Sequence, residues 1–63
     1  MTVTCILNTT SEGRLTLNKK YKVIKETGNF YVIQDDIQHG SWYKQRFIID
    51  EDKLILNKNI VVL

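Results

Sequence analysis

The sequence predicts an all-β domain of five to seven short antiparallel strands, forming a small barrel or a pair of packed sheets. Three observations carry that expectation. Short runs rich in Val, Ile, Thr, Tyr and Phe recur along the chain, separated by turn-forming Gly, Asn and Asp. No window of helical length keeps a period near 3.6. Residues 15–23 come closest, but their Thr and Tyr content and lack of capping residues argue against a helix. Finally, 63 residues make one domain, too small for a second core.

Val3, Cys5 and Leu7 alternate with Thr2, Thr4 and Ile6, as in a half-buried strand. NTTSEGR, residues 8–14, is a polar loop, and Leu15 and Leu17 would pin its return to the core. YKVIKE, residues 21–26, is a strand with Tyr21, Val23 and Lys25 on one face and Lys22, Ile24 and Glu26 on the other. Gly28-Asn29 is a hairpin turn pair, since both residues tolerate positive φ. FYVIQ, residues 30–34, returns with apolar side chains on both faces, Phe30 and Val32 against Tyr31 and Ile33. DDIQHG, residues 35–40, is a longer turn. Residues 41–43 and 47–49 are short strands split by Lys44-Gln45-Arg46. After the charged break Asp50-Glu51-Asp52, LIL and IVVL around Asn57-Lys58-Asn59 predict a closing C-terminal hairpin. The expected organisation is therefore a single domain, 1–63, with a barrel over 1–49 and a hairpin extension over 50–63.

Antiparallel sheets with one wet face should alternate, so the two-faced strand 30–34 and the IVVL run imply cover on both sides. Either the last hairpin folds over its own barrel or a second chain does, which makes a homodimer through those apolar surfaces one expectation.

Composition removes several function classes. The net charge is +2, a weak overall pull on nucleic acid. One cysteine precludes an internal disulfide, and one histidine with one cysteine falls short of the common zinc sites. No apolar run approaches the length of a membrane span, and residues 1–7 lack the pattern of a signal peptide. A cytoplasmic location is the expectation, which a lone thiol suits. Cys5 alternates with Val3 and Leu7 and reads as a small buried hydrophobe. His39 beside Gly40 reads as an exposed turn residue rather than a base or ligand. With no nucleophile triad, acid–base pair, phosphate-cradling glycine loop or cofactor fingerprint, neither an enzyme nor a cofactor is expected.

The stretch SWYKQRF, residues 41–47, interleaves three aromatics with two cations. Such a pattern is found on stacking platforms for nucleic acid, and equally at a strand end that turns once and re-enters a core. LTLNKKYKVIKE, then NFYVIQDD, then GSWYKQRF together resemble small Src-homology-3-like barrels encoded by phages and prophages of low-GC Gram-positive bacteria. The matching positions are Leu15, Thr16, Lys19, Tyr21, Val23, Asp35, Asp36, Trp42, Arg46 and Phe47, and the resemblance spans residues 2–49. It departs at Asn18, where that group has a glycine, and it does not reach the C-terminal tail. The resemblance implies that Trp42 and Phe47 are core residues flanking a single helical turn of Lys44, Gln45 and Arg46. It places Tyr43 at the surface position of the peptide groove, without the neighbouring proline.

The functional expectation is a non-enzymatic accessory protein of phage type that binds a host or phage protein, as an inhibitor of a host enzyme or defence system. Tyr43, Lys44, Arg46 and the acids Asp35 and Asp36 are its candidate contacts. A nucleic-acid-binding barrel using Lys19, Lys20, Lys22 and Lys25, joined by Lys44 and Arg46, is one alternative. A virion assembly component adding its IVVL edge to a neighbouring sheet is another.

Overall fold

A computed structural model describes residues 1–50 of the chain, and the expected C-terminal hairpin lies outside the described residues. Five strands form one antiparallel sheet: β1 (Thr2–Cys5), β2 (Lys20–Glu26), β3 (Phe30–Gln34), β4 (His39–Tyr43) and β5 (Phe47–Ile49). Their spatial order is β4-β3-β2-β1-β5, with β4 and β5 at the two edges. A single 3-10 turn, Lys44–Arg46, joins those edge strands. No helix among the described residues is long and apolar enough to cross a membrane.

β2 belongs to both halves of the sheet. Its first residues pair with β1, Val3 opposite Tyr21 and Thr4 opposite Lys20, while Val23 to Glu26 pair with β3. The register shifts between Val23 and Lys25. A bulge of this kind bends the strand and raises its twist, which lets one strand serve two differently oriented halves. It also breaks the simple alternation expected for residues 21–26. Lys25 stands opposite the outward-facing Val32, not on the core face with Tyr21 and Val23.

The core is Val3, Cys5, Leu15, Tyr21, Tyr31, Ile33 and Phe47, with Val23, Trp42 and Ile49 packed against it. Phe47 meets the edges of Tyr21 and Tyr31, with ring centroids 6.2 and 6.0 Å away and planes near perpendicular, the arrangement that the ring quadrupoles favour. Tyr31 and Ile33 face this core and Phe30 and Val32 the other way, as the two-faced strand predicts.

Several local expectations are corrected. β1 ends at Cys5, and Ile6 and Leu7 are exposed because their amides turn to the Arg46 carbonyl at 2.8 and 3.2 Å. Of the two leucines on the long loop only Leu15 is buried, whereas Leu17 is half exposed. The 27–29 turn closes with the Thr27 amide donating to the Phe30 carbonyl, and neither Gly28 nor Asn29 has positive φ, so it is not the primed hairpin turn expected. β4 starts at His39, two residues earlier than predicted.

The loop between β1 and β2, residues 6–19, carries the left-handed conformations instead: Thr10, Glu12, Gly13 and Asn18 have φ of 56°, 55°, 76° and 66°. Asn18, where the resembling barrels have glycine, adopts the conformation that asparagine tolerates best after glycine. It closes the loop base by donating to the Cys5 carbonyl at 2.8 Å, while the Cys5 amide donates to the Lys19 carbonyl at 3.0 Å.

Candidate functional site

Asp35 and Asp36 were candidate contact residues in an exposed turn, and the structure gives both a different task. Asp35 follows β3 where the chain turns toward β4, and its carboxylate is fully buried. One oxygen accepts the amides of Ile37 and Gln38 at 2.9 and 2.8 Å, closing the 35–38 turn. The other accepts Arg14 Nε at 2.9 Å and the Trp42 indole N–H at 3.1 Å, and lies 2.7 Å from the second guanidinium nitrogen. Burial pushes this carboxyl up. The amides of Gln38 and Ile37, then Arg14 and Trp42, outweigh it and hold the pKa at about 2.

Asp36 ties the same loop down from outside. It accepts the Thr16 hydroxyl at 2.7 Å and the Tyr21 hydroxyl at 3.1 Å, and pairs with Lys19. Its amide donates to the Arg14 carbonyl at 2.9 Å. The Lys19 ammonium and the Thr16 hydroxyl hold the Asp36 carboxyl below its ordinary range, and the same ion pair raises Lys19. Burial raises Tyr21, whose hydroxyl also accepts the Thr16 amide at 2.9 Å. Both acids therefore latch the 6–19 loop onto the β3–β4 end of the sheet, and Asp35 has no surface left for a partner.

Gly40 is required by this latch. A Cβ there would overlap the Arg14 guanidinium and lie 2.9 Å from Asp35 Oδ2 and 3.1 Å from Trp42 Nε1. Trp42 is accordingly half-buried at the core rim rather than a fully enclosed anchor. The guanidinium carbons of Arg14 and Arg46 sit 4.8 and 5.3 Å from its ring centroid. With two cations against the ring and its N–H occupied, Trp42 does not offer a stacking face for a base.

Arg46 is also committed internally. It donates to the carbonyls of Leu7 and Thr9 at 3.3 and 2.8 Å and to the Thr10 hydroxyl at 3.3 Å. It therefore clamps the segment where Thr10, a β-branched residue, holds a left-handed conformation.

Tyr43 and Lys44 remain, and the fold brings them together. Tyr43 is 54% exposed and stacks on Phe30, its cross-strand partner, with ring centroids 4.6 Å apart. The two rings lie on the face of the sheet away from the core. Beside them a shallow cleft of about 300 Å³ is lined by Gly28, Asn29, Tyr43, Lys44 and Gln45. The Lys44 amide donates to the Asn29 carbonyl at 3.0 Å, joining the β2–β3 turn to the 3-10 turn below the cleft. Lys44 reaches Glu26 at 2.5 Å and lies 5.2 Å from the Tyr31 ring centroid. Phe30 and Asn29 were not among the sequence-derived contacts. The signal for Phe30 was present in the two-faced alternation of residues 30–34, which puts it on the side of Tyr43.

The cations of the nucleic-acid alternative do not gather into one bare surface. Lys19 pairs with Asp36, Lys44 with Glu26, and Lys20 lies 3.8 Å from Asp50. Of that set Lys22, Lys25 and Arg46 have no carboxylate within ion-pair distance among the described residues, and Arg46 is held by the carbonyls of Leu7 and Thr9. Cys5 is fully buried, its thiol donating to the Leu7 carbonyl, and His39 is exposed at the start of β4.

In comparison with known proteins, no family model matches this chain, and no curated protein and no solved structure is significantly similar to it.

Proposed function

We propose that this chain is a small Src-homology-3-like barrel of the phage and prophage kind that acts without catalysis in the host cytoplasm. It binds a host or phage protein and thereby inhibits a host enzyme or defence system. Support for the barrel comes from the strand order, the double membership of β2, the long loop between β1 and β2, and the single turn of Lys44 to Arg46. The observation that carries the binding reading is the exposed Tyr43, stacked on Phe30 beside an open cleft. An aromatic pair of this kind presents rigid apolar area with a polar tip, the make-up of an interface anchor.

The contact set is Tyr43, Phe30, Asn29, Lys44 and Gln45. The test is affinity capture from a Gram-positive host lysate with the parent chain and with Tyr43→Ala in parallel. A protein retained by the parent and lost with the variant supports the reading. A parent chain that retains nothing specific refutes it.

Among the described residues the nucleic-acid reading draws on Lys22 and Lys25 as cations with neither a carboxylate partner nor a commitment to the loop, fewer than the several phosphate contacts a stable complex needs. A gel shift at low salt separates the two, since tight binding of random duplex or single strands would favour nucleic acid over a protein partner.

A further inference from the structure

β3 carries Tyr31 and Ile33 on the core face, so Phe30 and Val32 stand on the outer one. Tyr43 of β4 lies opposite Phe30 and joins them there. β2 reaches the same face through its bulge. Tyr21 and Val23 pack in or against the core, so Lys22 between them points outward, and Lys25 stands opposite Val32. Ile24 is the extra residue of the bulge and is 55% exposed. In a regular strand Ile24 and Lys25 would face opposite ways, whereas the register shift leaves both in water.

The charge on this face is of one sign. Neither Lys22 nor Lys25 has a carboxylate within ion-pair distance among the described residues. Residues 20–43 hold three acids, and each is engaged elsewhere. Glu26 stands opposite the core-facing Tyr31 and pairs with Lys44, Asp35 is buried against Arg14, and Asp36 pairs with Lys19. The face therefore has an apolar centre and two ammonium groups along one side. An apolar centre with a polar rim is how protein interfaces are built, and a rim of one sign selects a partner of the other.

We infer that the outer face of β2, β3 and β4 docks an acidic segment of the partner protein. Its carboxylates lie against Lys22 and Lys25, and its apolar side chains lie against Ile24, Val32 and the Phe30–Tyr43 pair. This docking rests on the protein-binding reading of Tyr43 and specifies the charge of what binds. Nucleic acid is a poorer occupant, since two ammonium groups give few phosphate contacts and the aliphatic Ile24 and Val32 offer no ring on which a base stacks.

The test is a titration of the nitrogen-15-labelled full chain with a random copolymer of glutamate and tyrosine, followed by amide chemical shifts. A lysine–tyrosine copolymer and a single-stranded oligothymidine are titrated in parallel. The expected result is shifts confined to this face, at Lys22, Ile24, Lys25, Val32 and Tyr43, that fade as salt rises from roughly 50 to 200 mM. The double variant Lys22→Gln with Lys25→Gln, both at exposed positions, should keep a folded spectrum and bind the acidic copolymer about three- to tenfold more weakly. No shifts, shifts elsewhere on the molecule, or unchanged affinity in the double variant would overturn the inference. Equal or tighter binding of the lysine–tyrosine copolymer would do so too, and equal or tighter binding of oligothymidine would hand the face to nucleic acid. A lysate protein lost with Tyr43→Ala but retained by the double variant would sink the acidic docking alone and leave the protein-binding reading standing.

Discussion

Replacing Asp35 with Asn removes one charge and almost no volume, so its cost isolates what the buried carboxylate does. The pKa stands at about 2 against an ordinary 3.8. At roughly 1.4 kcal/mol per unit, that depression corresponds to about 2 kcal/mol of stability at neutral pH. An asparagine keeps one acceptor for the Ile37 and Gln38 amides, but turns an NH2 group toward Arg14 and the Trp42 indole, both donors. A buried guanidinium contact left unpaired adds to the loss, so about 2–4 kcal/mol is expected. A domain of this length has a total stability of roughly 3–9 kcal/mol, so the variant loses a large share. Trp42 is the only tryptophan and touches the latch, so urea unfolding followed by its fluorescence is the assay. Because the folded pKa is depressed, the contribution is present above the unfolded value and lost as pH falls toward 2. The parent should therefore destabilise between about pH 5 and 2, and the variant should show a shallower dependence that keeps the part due to Asp36. A loss under about 0.5 kcal/mol at pH 7, within the range of ordinary surface substitutions, would refute the reasoning. So would an acid profile parallel to that of the parent.

Gly40→Ala should destabilise by about 1–3 kcal/mol, because the new Cβ displaces the Arg14–Asp35 pair; unchanged thermal unfolding would count against the latch. Arg46→Ala should cost about 1–2 kcal/mol and speed proteolytic cleavage within residues 8–13, with Arg46→Lys failing to restore protection because an ammonium lacks the planar fork of donors. Tyr43→Ala should cost about 1–2 kcal/mol by urea unfolding, since half of the side chain is already in water and its pair with Phe30 contributes about 0.5–1.5 kcal/mol beyond the area it buries. At alkaline pH the raised pKa values of Lys19 and Tyr21 mean that stability holds below their ordinary values and is lost as pH rises through the folded ones. Asp36→Ala should flatten that alkaline limb in a pH series of thermal melts.

The resemblance carried in LTLNKKYKVIKE and GSWYKQRF made the turn at Lys44–Arg46 and the return of Phe47 to the core legible before any coordinates. Both rest on local rules, namely alternation along a strand and one turn between two apolar positions. The bulge at Ile24–Lys25 was not legible, because no residue there marks it. It arises where β2 passes from one partner strand to another, a property of the sheet rather than of the segment.

The acids show the same division. As letters, Asp35 and Asp36 are a solvated turn, and nothing nearby in sequence says otherwise. Their partners Arg14, Thr16, Lys19 and Tyr21 lie 15 or more residues away and arrive only when the long loop closes over the β3–β4 end. By itself, then, the sequence determined the all-β class, the approximate strands of residues 1–50 and the face each aromatic takes, since side-chain periodicity is a local property. Tertiary structure alone decided which charges are internal latches and which side chains remain outside, because that depends on what packs over each residue. Of the five residues first marked for contact, Asp35, Asp36 and Arg46 hold the long loop, Asp35 from inside and the other two from outside, and Tyr43 and Lys44 stand at the cleft.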